Sequence, residues 1–272
     1  MKGIPAPAKL NLALVVGPRR EDGRHEVATV LQRLDLADRI RLEPESTLTV
    51  DGFAGDTLVR AALERLGEAA GVGTRWRVRI DKRIPVASGL GGGSSDAASA
   101  LVLANRTLPQ PLEPGALHEL AASLGADVPF FLRSGPALGT GTGTDLEPLE
   151  LPQDFWVVLI LPNGAAKRST ADVYAAFDAR GGEVGYSDRR GALLEALANV
   201  RRPRDLASLP PNDLASSPLT AQVIEQGAFR ADVSGAGPTV YGLFMQRAAA
   251  ARAARALRPL GRIWLTVPAW YG

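Results

Sequence analysis

Four glycines and three serines fall within the eight residues from Ser88 to Ser95, inside the stretch PVASGLGGGSSDAA that runs from Pro85 to Ala98. Glycines let a backbone approach a ligand closely and turn its N–H groups inward. Ala97, Ala98, Leu101 and Val102 then repeat at helical spacing, with Ser94 or Ser95 as the expected N-cap. A helix N-terminus presents about half a positive charge. Loop and helix together make an anion site suited to phosphate. Ser94 and Ser95 add hydroxyls that can bond phosphate or hold magnesium. The stretch lacks the lysine of a Walker loop, and Ser94 stands where a dinucleotide fingerprint needs its third glycine. A plain strand-to-helix turn is the alternative reading. Asp96 sits awkwardly: a carboxylate suits a first helical turn, but beside phosphate it must point away or reach a metal through water.

Two more residues have the chemistry of proton transfer and charge. Asp127 follows Gly125, which closes a helical run of Leu117, Leu120, Ala121 and Leu124. On a loop there, a carboxylate can accept the proton of an attacking hydroxyl; a turn-capping aspartate is the competing reading. Lys9 interrupts an apolar stretch, so it must reach solvent, a partner or a ligand, because an unpaired buried charge is costly. An edge-strand lysine in water is the other possibility. Lysine occurs only at positions 2, 9, 82 and 167 of an arginine-rich chain, which draws attention to each.

The elements that must position these groups are legible in outline. LNLALVV (Leu10 to Val16) reads as a strand, and RWRVRI alternates Trp76, Val78 and Ile80 against Arg75, Arg77 and Arg79, a half-buried strand. Leu58, Ala62 and Leu66 mark a helix stopped at Gly67 or Gly71. FWVVLIL (Phe155 to Leu161) reads as a buried strand. Helices are expected near 170–179 and 187–200, a second glycine loop at VSGAGPTVYGLF (Val233 to Phe244), and a closing helix and strand. Segregated runs of strands and helices imply two α+β domains. The polar stretch from Asp145 to Asp154 divides them into 1–150 and 151–272.

With 272 residues and 46% hydrophobic composition, the chain can build a sizeable core. It has no cysteine, which excludes disulfides, thiolate metal sites and cysteine nucleophiles. A net charge of +2 is nearly balanced. The basic stretch VRRPRD and the spaced arginines of 247–258 lack interleaved aromatics, so a solvated face is expected rather than nucleic-acid binding. No span reaches the roughly 18–20 apolar residues of a membrane helix. Lys9 and Asn11 interrupt the apolar start, so a secretion signal is not expected and a cytoplasmic location is.

PAPAKLNLAL near the start, PVASGLGGGSSDAA in the middle and SGAGPTVYGLF near the end, in that order, resemble the three motifs of the GHMP kinase superfamily. EDGRHEV and LGADVPFFL add a closer resemblance to the branch acting on a CDP-linked alcohol. The resemblance covers essentially the whole chain. It implies an N-terminal domain like ribosomal protein S5, a ferredoxin-like C-terminal domain and an active site between them. It also implies that ATP, with Mg2+, phosphorylates the tertiary 2-hydroxyl of a CDP-linked methylerythritol in the non-mevalonate route to isoprenoids. A kinase of the same superfamily for homoserine, mevalonate or a sugar is the nearest alternative; a non-catalytic nucleotide- or RNA-binding module is a further one. The implied partner is a small-molecule CDP-alcohol, with no nucleic acid or membrane, for a monomer or weak homodimer.

By this resemblance Lys9 and Asp127 are catalytic. Pro85, Val86, Ala87, Ser88, Gly89, Leu90, Gly91, Gly92, Gly93, Ser94 and Ser95 bind the nucleotide, with Ser95 also toward the metal. Asn11, His25 and Tyr174 touch the substrate, His25 and Tyr174 at the cytosine. Where the family often has an aromatic before the histidine, this chain has Arg24, whose guanidinium can also stack on a base. Thr57 replaces an asparagine often found near adenine. Lys82 is placed to approach the nucleotide or to sit at a strand end in water. Gly235 and Gly237 belong to the third motif, expected to shape the cleft and approach the substrate diphosphate or the loop backbone.

Overall fold

The computed structural model describes residues 2–73, 75–165 and 169–269, excepting the side chain of Lys2. Two strands of unusual length open the chain: β1 (Lys2–Arg19) and β2 (His25–Pro44), paired antiparallel. The strand expected at Leu10–Val16 is therefore longer at both ends. Pro5 and Pro7 are tolerated because β1 is the edge of its sheet and needs no second ladder there. Next come β3 (Thr49–Asp51), α1 (Leu58–Ala69) and β4 (Trp76–Asp81). Trp76, Val78 and Ile80 are buried and Arg77 and Arg79 exposed, as the alternation requires. Gly67 is buried within α1, and the helix ends before Gly71. Helices α2 (Gly92–Asn105) and α3 (Pro114–Leu124) follow, then a 3-10 turn at Pro129–Leu132 and strands β5 (Ala137–Thr140) and β6 (Asp145–Pro148). The first sheet runs β3-β4-β2-β5-β6, with β1 beside β2.

The second sheet draws on β7 (Trp156–Pro162), β8 (Arg230–Val233), β9 (Val240–Phe244) and β10 (Gly261–Thr266), in the order β10-β7-β9-β8. Helices α4 (Thr170–Ala179), α5 (Tyr186–Asn199), α6 (Leu219–Glu225) and α7 (Arg247–Ala256) complete the chain. A capping box, Ser169 with Asp172, starts α4.

The two sheets share a core. Leu10, Leu12 and Val15 of β1 pack in one cluster with Phe155, with Val157 and Leu159 of β7, and with Tyr241 and Leu243 of β9. Buried Arg230 stitches the halves: its guanidinium donates to the carbonyls of Leu12 (2.7 Å), Leu209 (2.6 Å) and Pro210 (2.9 Å). Asn212 pairs alongside Leu14, and the amide of Asp213 donates to the Leu14 carbonyl at 2.9 Å. The open edge of β1 is thereby satisfied in part by the second half of the chain, while the Lys9 amide donates to the Leu90 carbonyl at 2.9 Å.

Candidate active site

The glycine loop leaves β4 and enters α2. The expected serine N-cap is not used: Gly91, at φ 69°, occupies the cap position with no side-chain hydrogen bond, and the helix starts at Gly92. A left-handed glycine makes the turn without a Cβ penalty, so the serines are carried into the helix. Asp96 consequently falls beyond the first turn and is buried. Its Oδ2 accepts from Lys82 Nζ at 2.8 Å, and Lys82 also donates to Asp38 Oδ2 at 2.5 Å. Asp38 Oδ1 in turn receives the amides of Arg83 and Ile84, at 2.5 and 2.8 Å. Asp96 is thus turned to Lys82, and Lys82, rather than standing free at the surface, ties the root of the loop, β2 and α2 together. Burial pushes the Asp96 carboxyl up to about 8, against the pull of Lys82. Burial would lower Lys82, but the two carboxylates outweigh it and its ammonium is raised.

Backbone packing fixes the loop on its other side. A Cβ on Gly237 would lie 2.2 Å from the Gly89 nitrogen and 2.3 Å from the Ser88 carbonyl oxygen, so the second glycine loop rests directly on the first. Ser234 Oγ donates to the Gly89 carbonyl (3.1 Å) and the Thr239 amide to that of Ser88 (3.3 Å). The third motif thus meets the loop backbone, and Gly235 and Gly237 also border the cleft. Ala87 holds φ 54°, a strained conformation for a residue with a Cβ and a mark of a constrained loop.

A cleft of about 670 Å³ lies over this loop. Ala87, Gly89, Gly91 and Ser94 border it; Ser88, Leu90 and Ser95 are buried, and Val86 is exposed outside it. Pro85, Gly92 and Gly93 shape the loop without lining the cleft. Thr57 is the N-cap of α1 and does not border the cleft.

Lys9 lies on the floor of the cleft, buried rather than at a wet strand edge. Its Nζ is 3.3 Å from Asp127 Oδ2 and donates to Asn11 Oδ1 at 2.6 Å. Asn11 Nδ2 donates to Thr29 Oγ1 (2.8 Å), which donates to the Ala13 carbonyl (2.8 Å). Register shifts of β1 against β2 flank Lys9 and Asn11, and such irregularities re-aim side chains. Asp127 stands just past Gly125, the C-cap of α3, which is extended (φ 167°) rather than left-handed. The carboxylate is about one-third exposed, open to the cleft on one side and held by the ammonium on the other.

At the far end, the His25 ring stacks on Tyr174 at 4.8 Å between centroids, with Phe177 edge-on at 5.9 Å. Burial, with a contribution from Asp127, pushes the Tyr174 hydroxyl up to about 12. Arg19 and Arg24 are exposed at the rim. Sequence reasoning missed Thr29, Asp178, Asp38, Asn212 and the Thr142–Gly143 turn. Only Asp178 left a signal, four residues after Tyr174 on one helix face.

An amide-lined loop at a helix N-terminus, facing a carboxylate paired with an ammonium, is the apparatus of phosphoryl transfer to an alcohol. Residues 57–135 match the GHMP kinases N terminal domain and residues 193–262 the GHMP kinases C terminal domain. The chain belongs to the GHMP kinase family and is an ATP-dependent phosphotransferase. Within that family it is 39% identical to 4-diphosphocytidyl-2-C-methyl-D-erythritol kinase of Kineococcus radiotolerans, across 94% of this chain and 85% of that protein. A crystal structure of 4-(cytidine 5'-diphospho)-2C-methyl-D-erythritol kinase superposes with a TM-score of 0.79 at 36% identity, covering 98% of this chain and 100% of that one. Homoserine kinase from Cytophaga hutchinsonii, at 18% identity and TM-score 0.67 over 98% of this chain and 96% of that one, shares the fold alone. Among the described residues no helix is long and apolar enough to cross a membrane.

Proposed function

We propose that the chain transfers the γ-phosphoryl group of ATP to the 2-hydroxyl of 4-diphosphocytidyl-2-C-methyl-D-erythritol. The observation that carries this reading is the Lys9–Asp127 pair, 3.3 Å apart, on the floor of a cleft bordered at one end by the glycine loop and at the other by His25 and Tyr174. Identity to kinases bearing that substrate's name supports the choice among alcohols.

In this mechanism the amides of Gly89 to Gly93 and the α2 dipole receive the phosphates. Asp127 accepts the proton of the 2-hydroxyl as its oxygen bonds to the γ-phosphorus and the bond to the bridging β–γ oxygen breaks. ADP leaves with that electron pair. Lys9 faces Asp127 at 3.3 Å and balances the negative charge gathering at the attacking oxygen. Asn11 fixes the ammonium, and Thr29 fixes Asn11. His25 and Tyr174 hold the cytosine, and Arg24 at the rim supplies a planar cation where an aromatic is often found. Magnesium fits the donor set: Ser95 Oγ is buried with no hydrogen-bond partner, and Asp127 is open to the cleft. Such an ion takes most of its oxygens from phosphate and water and would offset phosphate charge. The reading extends to a division into units 1–150 and 151–272, to a cytoplasmic location and to a monomer or weak homodimer.

The test is a coupled ADP-release assay with the CDP-alcohol, mevalonate and homoserine in parallel. Turnover is expected with the CDP-alcohol alone. Comparable or faster turnover of mevalonate or homoserine would refute the substrate assignment.

A further inference from the structure

His25 is held by three side chains of a single helix. Tyr174, Phe177 and Asp178 stand at positions i, i+3 and i+4 of α4, and all three meet the imidazole. The first stacks on it, the second meets it edge-on, and Asp178 Oδ1 lies 2.7 Å from Nε2. The side chain is 6% exposed, and His25 borders the cleft. Among the described residues it makes no other side-chain hydrogen bond. Asp178 is a costly choice for the helix: it sits in the last turn of α4, where the dipole disfavours an anion. It is also exposed, so burial of its own apolar atoms does not explain it.

Building on the substrate reading above, we propose that Asp178 is a positioning residue: it fixes which nitrogen of His25 carries the proton and so makes the cleft read the amino edge of cytosine. A carboxylate is acceptor-only, so the atom facing it must be Nε2–H. In the neutral ring that leaves Nδ1 as an acceptor. Cytosine presents an N4 amino donor where uracil presents a carbonyl oxygen. An acceptor at Nδ1 bonds the first and faces a second acceptor in the other, and the unpaired group then opposes binding. Arg19 and Arg24 at the rim supply only donors, which suit the diphosphate or either base and do not select the amino edge.

The experiment combines steady-state kinetics with ring ¹⁵N chemical shifts, on the full chain at pH 8. The substrates are the CDP-alcohol and the same alcohol carrying uridine diphosphate. Wild type is expected to favour the cytidine substrate and to show an Nε2–H tautomer. Asp178→Asn presents either a donor or an acceptor, so both tautomers become available. Its preference, as the ratio of kcat/KM values, should fall about tenfold through a higher KM for the CDP-alcohol. The KM for ATP should hold, and Asp178→Glu should recover part of the preference. An unchanged ratio in Asp178→Asn, or a wild-type ring protonated at Nδ1, overturns the inference while leaving the kinase assignment standing. A wild type that does not turn over the CDP-alcohol removes the substrate reading and this inference with it.

Discussion

Gly237→Ala is the sharpest perturbation of the site because it adds one methyl group and no charge. The new Cβ would lie 2.2 Å from the Gly89 nitrogen and 2.3 Å from both the carbonyl carbon and the oxygen of Ser88. These are backbone atoms, so no side chain can swing aside. Restoring van der Waals distance requires the two loops to part by about 1 Å. Parting them breaks the Ser234–Gly89 and Thr239–Ser88 hydrogen bonds. At about 1 kcal/mol each, the stability loss is about 2 kcal/mol. For a chain of this size that lowers the melting temperature by roughly 4–8 °C. The larger effect is on catalysis. The displaced backbone is the one that receives phosphate, and a misplacement near 1 Å can cost about 100-fold in rate. The measurement is kcat/KM for ATP at saturating alcohol, with calorimetry alongside. Gly191→Ala, exposed in α5 with nothing within 4 Å of its new Cβ, is the control; it should gain up to about 1 kcal/mol from helix propensity. If Gly237→Ala matched wild type in both kcat/KM and melting temperature, the loops do not rest on one another as described.

Asp127→Asn should lower kcat by about 100- to 10,000-fold, the range of a lost general base, with the far-UV spectrum retained; near-full activity would refute its role. Lys9→Ala should cost about 100-fold or more in kcat, since it removes the charge that faces both Asp127 and the developing oxyanion; a loss confined to KM would make Lys9 a binding group only. Asp96 carries a pH signature. Its carboxyl rises from an ordinary 3.8 to about 8 on folding, mainly through burial. The folded state therefore holds a proton that the unfolded state has released between those values, and stability from this group falls as pH climbs through that window. Lys82, raised, adds stability that persists until pH exceeds its ordinary 10.5 and is then lost. Melting temperature against pH should show the first slope in wild type and lose it in Asp96→Asn, whose amide resembles the protonated acid. An identical slope in both proteins would refute that origin.

Much of this site was legible in one dimension because its parts are local. The alternation of Trp76, Val78 and Ile80 needs only a strand with one wet face, and the glycine loop announces close backbone approach by composition. Lys9 was ambiguous because burial is a property of the whole fold: β1 is an edge strand, yet the second half of the chain covers it. The serine N-cap was misread because composition favours serine at a helix start, while a left-handed Gly91 achieves the same turn one step earlier. The Asp38–Lys82–Asp96 cluster and the His25–Asp178 pair join distant segments; local spacing marks Asp178 only as a neighbour of Tyr174 on one helix face and does not mark the cluster at all.

The guanidinium of Arg230 that completes β1 has a bearing on how the chain is made. Leu12 leaves the ribosome 218 residues before the side chain that will satisfy its carbonyl. At about 5–20 residues per second, that delay is roughly 10–45 s. Throughout it, the stretch of that strand around Leu12 and Leu14 lacks the partners that the second half will bring. The flank of the reactive centre is thus closed late in biosynthesis, although the residues that build its floor are translated first.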